Sequence, residues 1–118
     1  MKAPYRVALS ENTTSILRSL TQKTGLSANL LARCAMLMSF EEPSIPANDE
    51  GKADLVINRM TLFGDLEPFL MAAYSLVSKG PSSAAAKDIA NHISRGAAYL
   101  NVRVQSVPDF LAVINDIS

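Results

Sequence analysis

The sequence is short of the residues on which most enzymes depend. It has one cysteine, Cys34, one histidine, His92, and no tryptophan among 118 residues. Cys34 lies on an apolar helical stripe, where a thiol packs as a small hydrophobic group, and His92 follows Asp88 by four residues, which predicts a surface pair. No glycine-rich phosphate-binding loop occurs. The pattern therefore predicts a protein that is not an enzyme, with no catalytic residue, metal or cofactor.

Long apolar runs are also missing. No stretch reaches the roughly 18 apolar residues that span a bilayer. The first residues, MKAP, lead into a polar alternating segment, which is not the pattern of a secretory signal. A single cysteine is typical of a reducing compartment. We therefore expect a cytoplasmic protein with no membrane contact and, at 48% hydrophobic residues, one domain over residues 1–118.

The net charge is zero, but the charges are unevenly distributed along the chain. Residues 1–40 carry five basic residues and one acidic residue, a net +4. Residues 41–68 carry two basic and seven acidic residues, a net −5, and the remainder is close to neutral. A basic first segment can bind phosphates even in a neutral molecule.

Apolar periodicity predicts a small all-α domain of about five helices with a short extended N-terminal segment. Residues 5–9 alternate as a short strand or arm, and Ser10 is positioned to cap a first helix that ends near Gly25. A second helix, capped by Ser27, covers residues 28–40. These first 40 residues resemble the opening of a ribbon-helix-helix protein.

The rest of the chain is predicted as an acidic loop followed by three helices. The loop covers residues 41–57 and contains two prolines. We expect it to be a solvated surface loop, because its acids around Asp49 lack the regular oxygen spacing of a calcium-binding loop. The third helix spans about 66–78 and stops at Gly80-Pro81, the fourth starts after a cap at Ser82 or Ser83, and the last starts at Ser106.

Three segments resemble a known family when they are read together with the opening RVALSENTTSILRSL. They are GLSANLLARCAMLMSFEEPSIP, NRMTLFGDLEPFLMAAY and HISRGAAYLNVRVQSVPDFLAVI. In this order they resemble the bacterial DNA sulfur-modification protein DndE. The resemblance implies a DNA-binding component of the machinery that replaces a non-bridging phosphate oxygen of DNA with sulfur. It also implies a homotetramer, a preference for nicked duplex, and partners among the other sulfur-modification proteins.

Six basic residues are candidates for contact with the DNA phosphates. For Arg33, Arg59 and Arg95 a structural ion pair is an equal alternative, with partners among Glu41, Glu42, Asp65 and Glu67. For Arg6, Arg18 and Lys23, which lie on more polar surfaces with few nearby acids, phosphate contact is favoured.

Two further expectations concern the alternatives and the assembly. The alternative function is a ribbon-helix-helix regulator or antitoxin, which would read bases with outward strand side chains. Apolar residues on both sides of the second helix, including Met36 and Phe40, predict a homo-oligomer, because they exceed what one small core covers.

Overall fold

The computed structural model describes residues 2–78, 86–105 and 107–117. Its elements, in chain order, are β1 (Arg6–Ser10), α1 (Glu11–Thr24), α2 (Ala28–Phe40), β2 (Ala53–Asn58), α3 (Arg59–Leu62), α4 (Glu67–Val77), α5 (Ala86–Arg103) and α6 (Val107–Ile117). A single 3₁₀ turn, Gly64–Leu66, joins α3 to α4. The described part of the chain is therefore mostly helical, with six α-helices instead of about five.

The structure corrects the all-α prediction because β1 and β2 form a two-stranded antiparallel sheet. Arg6 pairs with Asn58 and Ala8 with Val56, and a bulge lies between Ala8 and Ser10. The predicted extended N-terminus is one of these strands. Residues 53–57, predicted as the end of a loop, belong to the other. Strands as short as β1 and β2 are stabilised by pairing with each other, and α1 and α2 separate them in the sequence.

The ends of the first two helices are formed as the sequence predicts. The Ser10 side chain accepts a hydrogen bond from Thr13 N, and that of Ser27 accepts one from Leu30 N. Gly25 has a φ of 76° and donates its N–H to Thr21 O. A residue with a side chain is strained in this left-handed conformation, so glycine closes α1 at little cost.

Helices α2 and α5 approach each other closely at Gly96. A Cβ at Gly96 would lie 1.8 Å from Ala35 O, so only glycine allows this approach. Met36 is fully buried and Phe40 is 8% exposed in the chain's own core. The expectation that these two residues exceed the needs of the core was therefore wrong: both are buried, and Phe40 packs against Tyr74 of α4 and His92 of α5.

Helix α4 starts and ends within one residue of its predicted bounds, whereas the short α3 was not predicted. The predicted stop at Gly80-Pro81 and the predicted caps at Ser82, Ser83 and Ser106 lie outside the described residues. Among the described residues, no helix is both long enough and apolar enough to cross a membrane.

Candidate nucleic-acid interface

Arg33 is used inside the fold. From α2, its Nε donates to Leu62 O at 2.5 Å and its Nη2 donates to Thr61 O at 3.1 Å. These carbonyls belong to the last turn of α3, where helical carbonyls lack partners along the helix and a cation is favourable. Arg33 therefore holds α3 against α2 through two of its three nitrogens.

Arg95 has a similar internal role on α5. Its Nε donates to Ser39 Oγ and its Nη2 to Ser39 O, both at 2.8 Å. Its Nη1 donates to the Ser44 carbonyl oxygen at 2.8 Å and to Ser44 Oγ at 3.1 Å. Arg95 thus fastens the C-terminal end of α2 and the start of the following loop to α5. Its described partners are carbonyls and hydroxyls, not the carboxylates that the sequence suggested.

Arg18 forms the one salt bridge found among the described residues. Its Nη1 lies 3.6 Å from Asp54 Oδ2, and both side chains are well exposed. An exposed pair of this kind contributes little to stability, and the arginine can exchange its partner for a phosphate. Lys23 is half-buried in the last turn of α1, where its charge complements the helix dipole.

Arg6 and Arg59 lie close together at one end of the two-stranded β1–β2 sheet, called the ribbon below. This is the end at which Arg6 pairs with Asn58. Arg59 N donates to Tyr5 O at 2.8 Å, which aligns the two segments. The guanidinium carbons of Arg6 and Arg59 lie 5.7 Å and 5.9 Å from the centre of the same Tyr5 ring. Tyr5 is 70% exposed. Two cations therefore lie beside one exposed aromatic ring. The Nε of Arg59 is buried and has no hydrogen-bond partner within the described structure.

A groove of about 390 Å³ lies beside this end of the ribbon. The described residues that line it are Arg6, Ala8, Val56, Ala86 and Lys87. Val56 is 50% exposed on the outward face of the sheet, opposite Ala8. Lys87 was not among the six predicted residues, because its position in sequence gives no sign that the start of α5 adjoins β1. It also donates to Asp49 O.

Asp49 is a buried residue in a loop that the sequence predicted to be solvated. Its carboxylate accepts from Ser10 N at 3.0 Å, Ser10 Oγ at 2.6 Å and Thr13 Oγ1 at 2.9 Å. Burial alone would raise the pKa of Asp49, but the hydrogen bonds from Ser10 and Thr13 outweigh it and lower the pKa. The carboxylate therefore ties the acidic loop to the junction of β1 and α1, and its main-chain oxygen positions Lys87.

His92 does not form the predicted surface pair with Asp88. Its side chain is buried, and its Nδ1 lies 2.8 Å from Ser39 Oγ, while Asp88 accepts from the Tyr74 hydroxyl. In this hydrogen bond the Ser39 hydroxyl donates when a neutral His92 carries its proton on Nε2, and it accepts when the proton is on Nδ1. Burial lowers the pKa of His92, which favours the neutral form.

Cys34 behaves as the apolar stripe predicts. It is partly buried, and burial raises the pKa of its thiol, which the nearby Arg33 charge only partly offsets. A raised pKa disfavours the reactive thiolate. Among the described residues, no group of three or more histidine, cysteine or acidic side chains is placed to hold a metal ion.

Sequence and fold comparisons agree on the family. The model of a family described as DNA sulphur modification protein DndE matches residues 6–107. The chain belongs to the DndE family. It is similar to a crystal structure of DndE from Escherichia coli B7A, described as involved in DNA phosphorothioation modification. The two share 26% identity and a TM-score of 0.72 over 85% of this chain and 99% of that one.

A crystal structure of a glycine-to-lysine mutant of DndE has the same fold. Its identity to this chain is 24%, and its TM-score is 0.59 over 84% of this chain and 98% of that one. No curated protein sequence matches this chain significantly. The DndE resemblance predicted from the sequence is confirmed, and the chain is a member of a DNA phosphorothioation system.

Proposed function

We propose that this DndE-family chain is a non-catalytic subunit that binds double-stranded DNA through its phosphate backbone and assembles with the other sulfur-modification proteins. The observation that carries the proposal is the pair of guanidinium groups at Tyr5, with Lys87 on the adjoining groove. Of the six predicted contacts, Arg6 and Arg59 are the two that converge on one exposed point. Arg33 and Arg95 are removed from the proposed interface because their guanidinium groups are bound inside the fold.

Backbone contact suits this arrangement better than base reading. The ribbon's outward face offers Arg6 as its long basic side chain, next to Ala8 and Val56, which carry no hydrogen-bonding group. Contacts to phosphates draw affinity from counterion release and carry no sequence information. We therefore expect affinity that depends steeply on salt and little on sequence. The ribbon-helix-helix alternative fits less well, because β1 is paired with β2 of the same chain.

The non-catalytic part of the proposal is supported by the state of the two reactive side chains. Ser39 and Arg95 surround the buried His92, and the Cys34 thiol has a raised pKa. Cys34→Ser should leave DNA sulfur modification in cells largely intact, with a modest loss of stability from the partly buried hydroxyl. Complete loss of modification by a folded Cys34→Ser protein would contradict this.

A homotetramer remains part of the proposal, now through α4 instead of α2. Phe69 and Leu76 are 60% and 87% exposed, and their spacing puts them on one side of α4, while Leu66, which is 46% exposed, directly precedes the helix. An exposed apolar stripe of this kind is typical of an interface. Light scattering at micromolar concentration should give a tetramer mass, and Leu76→Asp should lower the mass without loss of helix content. A wild-type monomer would contradict the tetramer.

Nicked duplex is the expected preferred form of DNA. A closed oligomer repeats the Arg6–Arg59 pair around its axis, so weak patches act together. A nick lets the duplex bend and reach more than one patch at lower cost than intact duplex. Affinity should therefore be higher for a nicked duplex than for an intact duplex of the same sequence, and equal affinities would contradict this preference.

The DNA contact is tested by anisotropy titrations of a labelled duplex at two salt concentrations. Arg6→Ala with Arg59→Ala should weaken binding by about tenfold or more and reduce the slope of log affinity against log salt by about two phosphate contacts. Arg103→Ala is the control for the loss of a single surface charge, half of what the double mutant loses, since it removes one charge from the exposed surface of α5 at Tyr99. Equal affinity of the double mutant and the wild type would overturn this location of the site.

A further inference from the structure

We propose that the groove beside β1 selects deoxyribose over ribose, by placing the sugar of one DNA strand on an apolar floor that cannot hydrogen-bond a 2′-hydroxyl. This inference rests on the proposed function and concerns the same surface. It assigns a role to Val56 and Ala8, which phosphate contacts alone leave unexplained.

The floor of the groove is apolar and fixed in place. Val56 and Ala8 are register partners in the sheet, so the two side chains lie next to each other on its outward face. Ala86, at the start of α5, adds a methyl group from the other side. Val56 remains half exposed although the residues before and after it, Leu55 and Ile57, are turned into the protein. An apolar side chain left open in a concave surface is available to a ligand with apolar atoms.

The cations of the groove come from two different elements. Arg6 belongs to β1 and Lys87 to the first turn of α5, and both line the same groove as the apolar residues. Lys87 donates one of its three hydrogens to Asp49 O, which holds its stem in place and leaves two donors. The groove thus has a cation from β1, an apolar floor and a cation from α5. This arrangement suits the order of phosphate, sugar and phosphate along one DNA strand.

The floor discriminates between the two sugars by the hydroxyl that RNA adds. Deoxyribose presents carbon-bound hydrogens at its 2′ position, whereas ribose presents a group that donates and accepts hydrogen bonds. The side chains of Val56, Ala8 and Ala86 offer neither a donor nor an acceptor. A 2′-hydroxyl pressed against them loses its water without gaining a partner, which is unfavourable.

The test compares two duplexes of the same sequence, bound to the full chain at low salt. One is entirely DNA, and the other has a ribonucleotide at every second position of both strands, so that a protein without sequence preference meets ribose wherever it binds. We expect the wild type to bind the second duplex about three- to tenfold more weakly. Val56→Thr supplies a hydroxyl of nearly unchanged volume, so this ratio should fall toward one while affinity for the DNA duplex changes little.

Val102→Thr is the matched control, because Val102 is 81% exposed near the other end of α5 and does not line the groove. It should keep the wild-type ratio. Equal binding of the two duplexes by the wild type, or an unchanged ratio in Val56→Thr, would overturn the inference while leaving the proposed function intact. Failure of the wild type to bind either duplex would overturn the proposed function and this inference together.

Discussion

Arginine side chains have opposite roles in two regions of the molecule. One region is the contact between α2 and α5, and the other is the β1–β2 ribbon. At the helix contact, Arg95 donates hydrogen bonds to Ser39 and Ser44, and the buried His92 is hydrogen-bonded to the same Ser39. At the ribbon, Arg6 and Arg59 flank an exposed tyrosine. The guanidinium group therefore stabilises the fold in one region and remains available to a ligand in the other. Changes in the first region should affect stability, and changes in the second should affect binding.

The largest effect is expected from Gly96→Ala in the helix contact. The added Cβ would overlap Ala35 O, so α2 and α5 must separate along their shared surface. The free energy of unfolding should fall by about 3 kcal/mol or more, as measured by urea denaturation. Ala98→Ser, at an exposed position of the same helix, is the control. An unchanged urea midpoint for Gly96→Ala would show that the helices do not approach this closely.

Arg95→Lys tests whether the arginine of the helix contact is structural. A lysine cannot reproduce hydrogen bonds from three nitrogens to Ser39 and Ser44, so stability should fall by about 2 kcal/mol. DNA affinity, measured at a temperature where both proteins are folded, should be unchanged. Arg103→Lys, in the last turn of the same helix, should alter neither property. Weaker DNA binding by a fully folded Arg95→Lys would return Arg95 to the interface.

Asp49→Asn tests the attachment of the acidic loop to the junction of β1 and α1. The amide cannot accept all of the hydrogen bonds from Ser10 and Thr13, so we expect a loss of about 1–2 kcal/mol at pH 7. Because the pKa of Asp49 is lowered by folding, its contribution is present above the unfolded value of 3.8 and is lost as the pH falls through the folded value. The difference between the two proteins should therefore shrink below about pH 4. Glu50→Gln, an exposed neighbour, should show no such difference.

The smallest effect is a slope in stability with pH that comes from His92. Folding lowers its pKa below 6.5, so the unfolded chain takes up the proton first, and stability falls as the pH drops below about 6.5. In His92→Asn, which keeps an acceptor for Ser39, the loss of stability between pH 7.5 and 5.5 should be smaller than in the wild type. The lowered pKa of Asp49 lies below this range and does not contribute. Identical slopes would show that His92 is not the group that titrates.

The sequence predicts the local features of this fold well. Ser10, Gly25 and Ser27 set helix ends through hydrogen bonds between residues close in the chain, and the periodicity of α2 and α4 gives their extents. The β2 strand was missed because its pairing is with β1, far away in the sequence, and its neighbours are the prolines and acids of a loop. Asp49 was read as solvated for the same reason, since its partners Ser10 and Thr13 are distant in sequence.

The candidate site could be predicted only in part. Charge type identifies Arg6, Arg33, Arg59 and Arg95 as candidates, but it does not show which guanidinium groups find carbonyls inside the fold. That outcome depends on where α3 and the loop after α2 come to lie. Lys87 was not among the six predicted contacts, because only the packing of α5 against β1 brings it to the groove that Arg6 lines.

The long separation between β1 and β2 has a consequence for the order in which the chain is made. During synthesis β1 emerges before α1, α2 and the acidic loop, and its partner follows only after all three. Until then the strand has an unpaired edge with apolar Val7 and Leu9 on one side, which is a template for pairing with other nascent chains. Formation of α1 and α2 shortens the distance that the intervening chain must close, so the ribbon should form late, after the helices on which Val7 and Leu9 pack.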